Sequence, residues 1–279
     1  MTLQSKLSAL RAIFREMDRV VVGFSGGVDS SYLLSVAADE LGDRALGVTA
    51  LSSTFAPSEA DDAREVAGFL RARHEFFDTD QLEIAEFVEN GGRRCYFCRV
   101  DMFSKLKDVA LAHDIDWVVD GTLVDDLSDV RPGLKARDEA GVRSPFVEVG
   151  LSKDEVRGLA RERGLPNWDK PAESCLASRI PLGVPVSFEL LDKIARSEAI
   201  LHDFGFRQVR VRHHGAIARI EVGQDEIARL LNPDLRDTIA TRIQDVGYGF
   251  VTVDLAGYRA GSLNTRHATS VVEFPGPVA

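Results

Sequence analysis

The chain has 279 residues, 44% of them hydrophobic and 28% charged, which is a composition typical of a globular protein. Its formal net charge of −10 argues against nucleic acid as a partner, because such binding depends on neutralising phosphates with Lys and Arg. We find neither the apolar core of a signal peptide nor the ~18 consecutive apolar residues of a membrane span, and three cysteines make a poor disulfide framework. We therefore expect a cytoplasmic protein that has no membrane partner.

The first two thirds of the chain alternate short apolar runs with segments of helical periodicity, after an amphipathic helix over residues 1–18. The predicted strands are, in chain order, Arg19–Phe24, Ala45–Ala50, Glu75–Phe77, Trp117–Asp120 and Pro145–Val149. The predicted helices are Ser30–Leu41, Pro57 to about Leu70, and Ser152 to about Arg163, the last opened by a capping box. This alternation predicts an α/β domain with a parallel sheet, helices on both faces, and ligands beyond the carboxyl ends of the strands.

Composition changes near residues 181–185, and the remainder has a different order of elements. The predicted elements there are a helix over Phe188–Phe204, strands over Gln208–Arg212 and Ala218–Val222, a second helix without assigned ends, and a last strand over Phe250–Asp254. We therefore expect two domains, an α/β domain over residues 1–182 and a smaller α+β domain over residues 183–279.

The sharpest motif is the octet Phe24–Ser31, FSGGVDSS, which follows a predicted strand and opens a predicted helix. Its glycines let backbone N–H groups approach an anion, and the helix N-terminus adds partial positive charge. The candidate phosphate-binding residues are Ser25, Gly26, Gly27, Val28, Asp29, Ser30 and Ser31. Asp29 would face phosphate only through Mg²⁺ and would otherwise cap the helix. A turn chosen for geometry alone is the alternative interpretation.

The octet resembles the PP-loop of the ATP pyrophosphatases, which have a Rossmann-like sheet and split ATP into AMP and pyrophosphate. It lacks the Lys of a G-x-x-x-x-G-K-[ST] loop and the G-x-G-x-x-G of dinucleotide folds. By the same resemblance, Asp120, Gly121 and Thr122 form a second element beside the nucleotide, and Ser52 lies near the adenosine. Asp120 could instead simply end its strand.

The three cysteines form a second candidate site. Cys95 and Cys98 make a C-x-x-C pair in a loop entering a helix, where Arg93, Arg94 and Arg99 are expected to lower the thiol pKa. Such a pair serves zinc, redox or cluster sites alike, and the histidines lack convincing spacing for zinc. Cys175 is the remaining cysteine. Each could also be a small buried apolar residue.

Motifs spread from about Val20 to Asn264 resemble the LarE family. They are Arg94–Cys98, Asp120–Thr122, Asp125–Leu127, Arg131–Leu134, Val142–Pro145, Trp168–Pro171, Ser174–Pro181, Gly205–Gly215 and Gly257–Asn264. The resemblance implies an ATP-dependent sulfur transferase of nickel-pincer nucleotide biosynthesis. Its substrate would be pyridinium-3,5-biscarboxylic acid mononucleotide, whose carboxylates become thiocarboxylates.

The resemblance also implies roles for the cysteines. Cys175 would deliver sulfur, and members with that cysteine alone sacrifice its sulfur and keep dehydroalanine. Members with the C-x-x-C pair bind a 4Fe-4S cluster through three cysteines, here Cys95, Cys98 and Cys175, which leaves one iron open for hydrosulfide. This chain fits the cluster type, although the sequence decides neither the route nor the sulfur donor. The family resemblance further suggests a homo-oligomer such as a hexamer.

Positive charge is concentrated in the last third of an acidic chain. Arg210 and Arg212 share one face of a predicted strand and could grip a phosphate or carboxylate, as could Arg179 beside Ser178. A solvated sheet face that compensates neighbouring acids is the alternative. By resemblance, Glu198 and Glu221 are candidate metal ligands.

Two other functions remain open at this point. A PP-loop enzyme that thiolates tRNA could also use a C-x-x-C pair, although the net charge of −10 disfavours it. A non-catalytic sensor of adenine nucleotides with structural zinc would bind ATP without releasing pyrophosphate.

Overall fold

The computed structural model describes residues 1–128 and 132–259. The chain divides into two compact units, Met1–Cys175 and Leu176–Ala279. The boundary precedes the expected one at residue 182, because the short turn Leu176–Arg179 is bonded within the second unit. There the Arg179 guanidinium contacts Glu198, and the Ser178 carbonyl accepts from Arg212. Arg131 of one motif and residues 260–264 of the last motif lie outside the described residues.

The N-terminal unit is built on a four-stranded parallel sheet. Its strands are β1 Val20–Gly23, β2 Ala45–Leu51, β3 Arg73–Asp78 and β4 Trp117–Val119, in the order β3-β2-β1-β4. Central β1 pairs with both neighbours, so that Val20 lies beside Ala45 and Trp117. The expected α/β fold with a parallel sheet is confirmed.

Helices cover both faces of this sheet. They are α1 Leu3–Met17, α2 Val28–Leu41, α3 Ser58–Leu70, α4 Ala85–Val88, α5 Arg94–Ala112, α6 Pro132–Ala140, α7 Pro145–Val149 and α8 Lys153–Glu162. Val20 and Val22 of β1 pack with residues of α1, α2 and α8, whereas Val21 packs against α5. A strand that is buried on both faces is apolar throughout, which explains the VVVG run.

The predicted strand over Pro145–Val149 is wrong, because these residues form α7. Pro145 occupies the first helical turn, where its fixed φ is favourable, and Gly150 ends the helix with φ +74°. Phe146 is fully buried, so these residues are apolar because the helix packs into the core, although the backbone is not extended. In addition to its pairing with β1, β4 forms a parallel bridge between Val119 and Arg143.

The helix expected after Ser152 is confirmed with its capping box. The Ser152 hydroxyl accepts from the Glu155 N–H, and the Glu155 carboxylate accepts from the Ser152 N–H. Glu155 also forms an ion pair with Lys6 of α1 at 2.8 Å. No helix in residues 1–128 or 132–259 is long and apolar enough to span a bilayer.

The C-terminal unit has a three-stranded sheet and three helices over its described residues. Its elements are α9 Phe188–Asp203, β5 Val209–His214, β6 Ile217–Val222, α10 Ile227–Leu230, α11 Pro233–Asp245 and β7 Phe250–Val253. β5 and β6 are antiparallel, and β6 and β7 are parallel. Alternate residues of β5, such as Val209 and Val211, join a core that includes Phe206 and Ile243, and the intervening arginines lie on the other face.

Candidate active site

The octet 24–31 connects β1 to α2 at the carboxyl end of the sheet. Gly26 has φ +71°, and a Cβ there would lie 3.0 Å from the Ala63 nitrogen of α3, so glycine is required. Gly27 is the N-cap of α2 and provides no side chain to its first N–H groups. These groups are therefore left to a ligand, and the helix dipole favours an anion there.

Serine hydroxyls fix the shape of this loop. The Ser30 hydroxyl donates to the Gly27 carbonyl at 3.2 Å and accepts from the Ser25 N–H at the same distance. The Ser25 and Ser30 hydroxyl oxygens are 3.1 Å apart. Ser25 is exposed, and Ser31 is fully buried with its oxygen accepting from Asn167 at 2.9 Å. Ser25 is thus the loop hydroxyl most accessible to a phosphate.

Asp29 has an unusual environment. Its Oδ1 is buried and has no hydrogen-bond partner, and Gly27 rather than Asp29 caps α2, so the capping interpretation is wrong. Burial raises the pKa of Asp29, and the charges of Asp126 and Asp125 raise it further against the opposing effect of Lys153. A buried carboxylate oxygen without a donor, close to other acids, suits a hard cation such as Mg²⁺.

Asp120–Thr122 follow β4 and lie against the phosphate loop. A Cβ on Gly121 would lie 3.1 Å from the Ser30 nitrogen. The Asp120 carboxylate accepts from the Ser144 hydroxyl at 2.5 Å and from the Thr122 hydroxyl at 2.7 Å. The two segments that were predicted to bind nucleotide are therefore adjacent, because the carboxyl ends of neighbouring parallel strands share one edge of the sheet.

Ser52 follows β2 and belongs to a polar network that the sequence did not predict. Its hydroxyl donates to Oε1 of Gln81, which is fully buried. The Gln81 amide donates to Thr79 at 3.0 Å, and Thr79 donates to Asp101 of α5 at 2.6 Å. The chain segment beside the expected adenosine is thereby bonded to the helix that carries the C-x-x-C pair.

Cys95 and Cys98 lie in the first two turns of α5 rather than in a loop. Burial and the negative charge of Cys175 raise the pKa of the Cys98 thiol to about 12. The expectation that adjacent arginines would lower it is wrong here, because the effect of Arg99 is smaller than these two. All three cysteines lie in the described part of the chain, and none forms a disulfide.

Arg212 of β5 and Arg179 of the turn Leu176–Arg179 are buried in ion pairs. Arg179 binds Glu198 through two hydrogen bonds of 2.9 Å, and Arg212 binds Glu221 at 3.0 and 2.8 Å. The interpretation as a solvated face is wrong, since Arg210 and Arg212 are 4% and 5% exposed. Burial and then repulsion by Arg179 lower the pKa of Arg210, which stacks on Tyr258.

A parallel sheet, a glycine-serine loop at its carboxyl edge and an uncapped helix N-terminus define a PP-loop nucleotide-binding protein. Residues 8–90 match the family model described as asparagine synthase. The chain is 38% identical over 264 residues to the pyridinium-3,5-bisthiocarboxylic acid mononucleotide synthase of Lactiplantibacillus plantarum, covering 94% of this chain and 95% of the relative. It belongs to the LarE family and is an ATP-dependent, sulfur-transferring enzyme.

Two further relatives are similar to this chain over all or part of its length. An uncharacterised protein of Synechocystis is 40% identical over 262 residues, covering 94% of this chain and 98% of the relative. A component of the glutamine-hydrolysing GMP synthase of Archaeoglobus fulgidus is 29% identical over 168 residues, about half of each chain.

The close approach of Gly26 to α3 generates a test. Gly26→Ala should weaken ATP binding by roughly ten-fold or more, because the added methyl forces the loop away from Ala63. Gly42→Ala is the matched control, since Gly42 also has positive φ (+59°) but has no atom within 4 Å of its added Cβ. Calorimetric titration with ATP measures both. Equal affinities in the two variants would contradict the packing argument.

The raised pKa of Cys98 predicts unequal thiol reactivity. At about pH 8 the reduced, metal-free protein should be alkylated by iodoacetamide much faster at exposed Cys95 than at Cys98, because the thiolate is the nucleophile. Peptide mass spectrometry over time gives both rates, and raising the pH should accelerate Cys98. Faster modification of Cys98 than of Cys95 would show that its thiol is not protonated as described.

Proposed function

We propose that this enzyme adenylates the carboxylates of pyridinium-3,5-biscarboxylic acid mononucleotide and replaces each adenylate with sulfur. The name of the Lactiplantibacillus plantarum relative supports this substrate, and that relative aligns with 94% of the chain. The observation that carries the proposal is a glycine-serine loop suited to pyrophosphate in the same compact unit as three cysteines. Sulfur transfer by way of an adenylate needs a site for pyrophosphate and a group that carries sulfur.

The order of steps follows from the chemistry of a carboxylate. Its negative charge repels sulfur nucleophiles, and oxide is a very poor leaving group. A carboxylate oxygen therefore attacks the α-phosphorus of ATP, and pyrophosphate leaves. Sulfur then attacks the neutral acyl carbon, and the C–O bond to AMP breaks. Backbone N–H groups at the start of α2 stabilise the charge that develops on pyrophosphate.

We propose Asp29 as the residue that holds Mg²⁺ in this site. Its buried, unpartnered Oδ1 supports the assignment, because a bound cation would offset the desolvation of that carboxylate. Mg²⁺ would supply neutralisation of the phosphate charge. The proposed nucleotide contacts remain those of residues 25–31, Ser52 and Asp120–Thr122, all of which lie in the N-terminal unit.

We propose that Cys95, Cys98 and Cys175 together hold a 4Fe-4S cluster. Three thiolates are a suitable donor set for such a cluster, and the mutual effect of these thiols on the pKa of Cys98 supports their proximity. The described residues contain no preformed group of three or more metal-binding side chains, so binding would draw the sulfurs together. The cluster would supply the transferable sulfur. Sacrifice of the Cys175 sulfur is the alternative route.

We propose the buried arginines of the C-terminal unit, with Ser178, as the site for an anionic group of the pyridinium nucleotide. Arg210 lies among Arg179 and Arg212, whose charges are balanced by Glu198 and Glu221. Those two glutamates are therefore less suited to a metal, which would have to displace an arginine from each carboxylate. The buried guanidinium groups of Arg179, Arg210 and Arg212 would favour an anionic group over a cation there.

We further propose that copies of the chain associate. Large apolar side chains of the C-terminal unit are more than half exposed, namely Leu182, Phe188, Phe250 and Leu255. Exposed apolar residues of this size mark protein contacts when they form a patch.

The role of Cys175 has a direct test. Cys175→Ala, given ATP, Mg²⁺, sulfide and the pyridinium nucleotide without oxygen, should release pyrophosphate in a single burst, one for each acyl-adenylate formed, but form no thiocarboxylate. The reason is that the acyl-adenylate still forms, while the group that delivers sulfur to its acyl carbon is lost. Mass spectrometry of the nucleotide and a pyrophosphate assay measure the two steps. Retained thiocarboxylate formation would overturn the assignment.

Cys95→Ser separates the two sulfur routes in the same assay. Under the cluster route it should lose both bound iron and thiocarboxylate formation. Under the sacrificial route it should keep activity, and the intact mass of the protein should fall by the elements of hydrogen sulfide after one turnover.

Asp29→Asn tests the proposed magnesium site. The variant should need roughly ten-fold more Mg²⁺ for pyrophosphate release, because an amide oxygen is a weaker ligand than a carboxylate. In the wild type, Mg²⁺ affinity should fall as the pH is lowered through the raised pKa of Asp29, since only the ionised carboxylate binds. Asp61→Asn, at an exposed position of α3, is the control. An unchanged Mg²⁺ requirement in Asp29→Asn would exclude this role.

A further inference from the structure

Asn167 is a buried residue that bridges the phosphate loop and a distant segment of the chain. Its side-chain nitrogen donates to the Gly26 carbonyl at 2.8 Å and to the Ser31 hydroxyl at 2.9 Å, and the residue is 8% exposed. The amide orientation is fixed, because the Gly26 carbonyl can only accept. One side chain therefore holds the loop at its glycine bend and at the first turn of α2.

The turn that begins with Asn167 is held in place at its other end as well. The Lys170 N–H donates to the Asn167 carbonyl at 2.9 Å, and we call residues 167–170 the clamp turn. The Lys170 ammonium binds Asp62 of α3 at 2.6 Å, and Arg157 of α8 donates to the Lys170 carbonyl at 3.0 Å. Asp62 directly precedes Ala63, whose backbone limits the space at Gly26.

The phosphate loop is thus enclosed by two elements that are bonded to one another. On one side Ala63 of α3 blocks displacement of Gly26, and on the other Asn167 holds the carbonyl of the same residue. The bond from Lys170 to Asp62 closes the arrangement. A shift of the Gly26 peptide on binding pyrophosphate would therefore be transmitted to the clamp turn.

Cys175 lies five residues beyond Lys170. Even a fully extended chain of that length reaches only about 17 Å, so the clamp turn limits where the Cys175 thiol can be. We infer that Asn167 is a positioning residue of the reaction, which sets the phosphate loop and, through the clamp turn, the placement of the segment that carries Cys175. The sulfur-transfer part of this inference rests on the proposed function, and the ATP-binding part does not.

The chemistry of the amide explains why few other residues would serve. Asn167 Oδ1 is buried and accepts no hydrogen bond, which has a cost in free energy. The same side chain makes both bonds to the loop through its nitrogen. An aspartate of the same shape would have no N–H for the Gly26 carbonyl. It would also add negative charge beside a loop that binds pyrophosphate.

The test compares four variants of the full-length enzyme for two quantities, the KM for ATP in pyrophosphate release and the thiocarboxylate formed per pyrophosphate. Asn167→Ala should raise the KM about ten-fold and lower the ratio, and Asn167→Asp should raise the KM further. Lys170→Met should leave the KM within about two-fold but lower the ratio several-fold, because it removes the ion pairs of Lys170 with Asp62 and with Glu173, two residues before Cys175, without touching the loop. Arg163→Gln, which breaks a bidentate ion pair with Asp39 elsewhere in this unit, should change neither.

Each outcome is decisive. If Asn167→Ala and Asn167→Asp keep the wild-type KM and ratio, the inference is overturned. It is also overturned if Arg163→Gln alters the ratio as much as Lys170→Met, since the effect would then follow stability alone. Should Asn167→Ala fail to fold by circular dichroism, Lys170→Met decides the transmission step. A wild-type enzyme that forms no thiocarboxylate would refute the proposed function and leave the ATP measurement on Asn167 intact.

Discussion

The lack of space beside Gly26 is the constraint on which the nucleotide half of the molecule depends. The residue must adopt a left-handed backbone, and the backbone of Ala63 leaves no room for a side chain. That contact orients the N–H groups at the start of α2. Three other segments lie next to this loop. α3 and the Asp120–Thr122 turn pack against it, and the clamp turn bonds both to the loop through Asn167 and to α3 through Lys170. Local backbone geometry therefore sets the arrangement of segments that are far apart in the chain.

The C-terminal unit depends on charge rather than on backbone conformation. Arg179 with Glu198 and Arg212 with Glu221 are buried pairs, whose value lies in specificity more than in net stability. Glu221 also pairs with Arg219 at 3.2 Å, so two arginines share this carboxylate. The Glu198 carboxylate also accepts the Val211 N–H of β5 at 2.8 Å, so the same group that balances Arg179 satisfies part of the open edge of the strand. Electrostatic balance and sheet structure are thus maintained by one side chain.

The sequence predicted the elements whose signals are local. The fully buried β1 and the glycine-serine loop were predicted near their observed positions, because an apolar run and two adjacent glycines have few other interpretations. The five residues of α7 were assigned to a strand, because a run that short has no distinguishing period. Asn167 and Gln81 were missed altogether. Their partners lie far away in sequence, and no composition or spacing indicates which buried amide will meet a loop carbonyl.

The contacts of Asn167 have a consequence for biosynthesis. Its two bonds to the phosphate loop span 141 and 136 residues of sequence. In addition, β1 gains its second neighbouring strand only after β4 has been synthesised. A nascent chain on the ribosome therefore exposes the glycine bend without its supports until more than half of the polypeptide has emerged. Long-range closure of this kind slows folding and prolongs exposure of unpaired strand edges. Truncation before the clamp turn should leave the glycine bend without the two bonds that Asn167 makes to the loop.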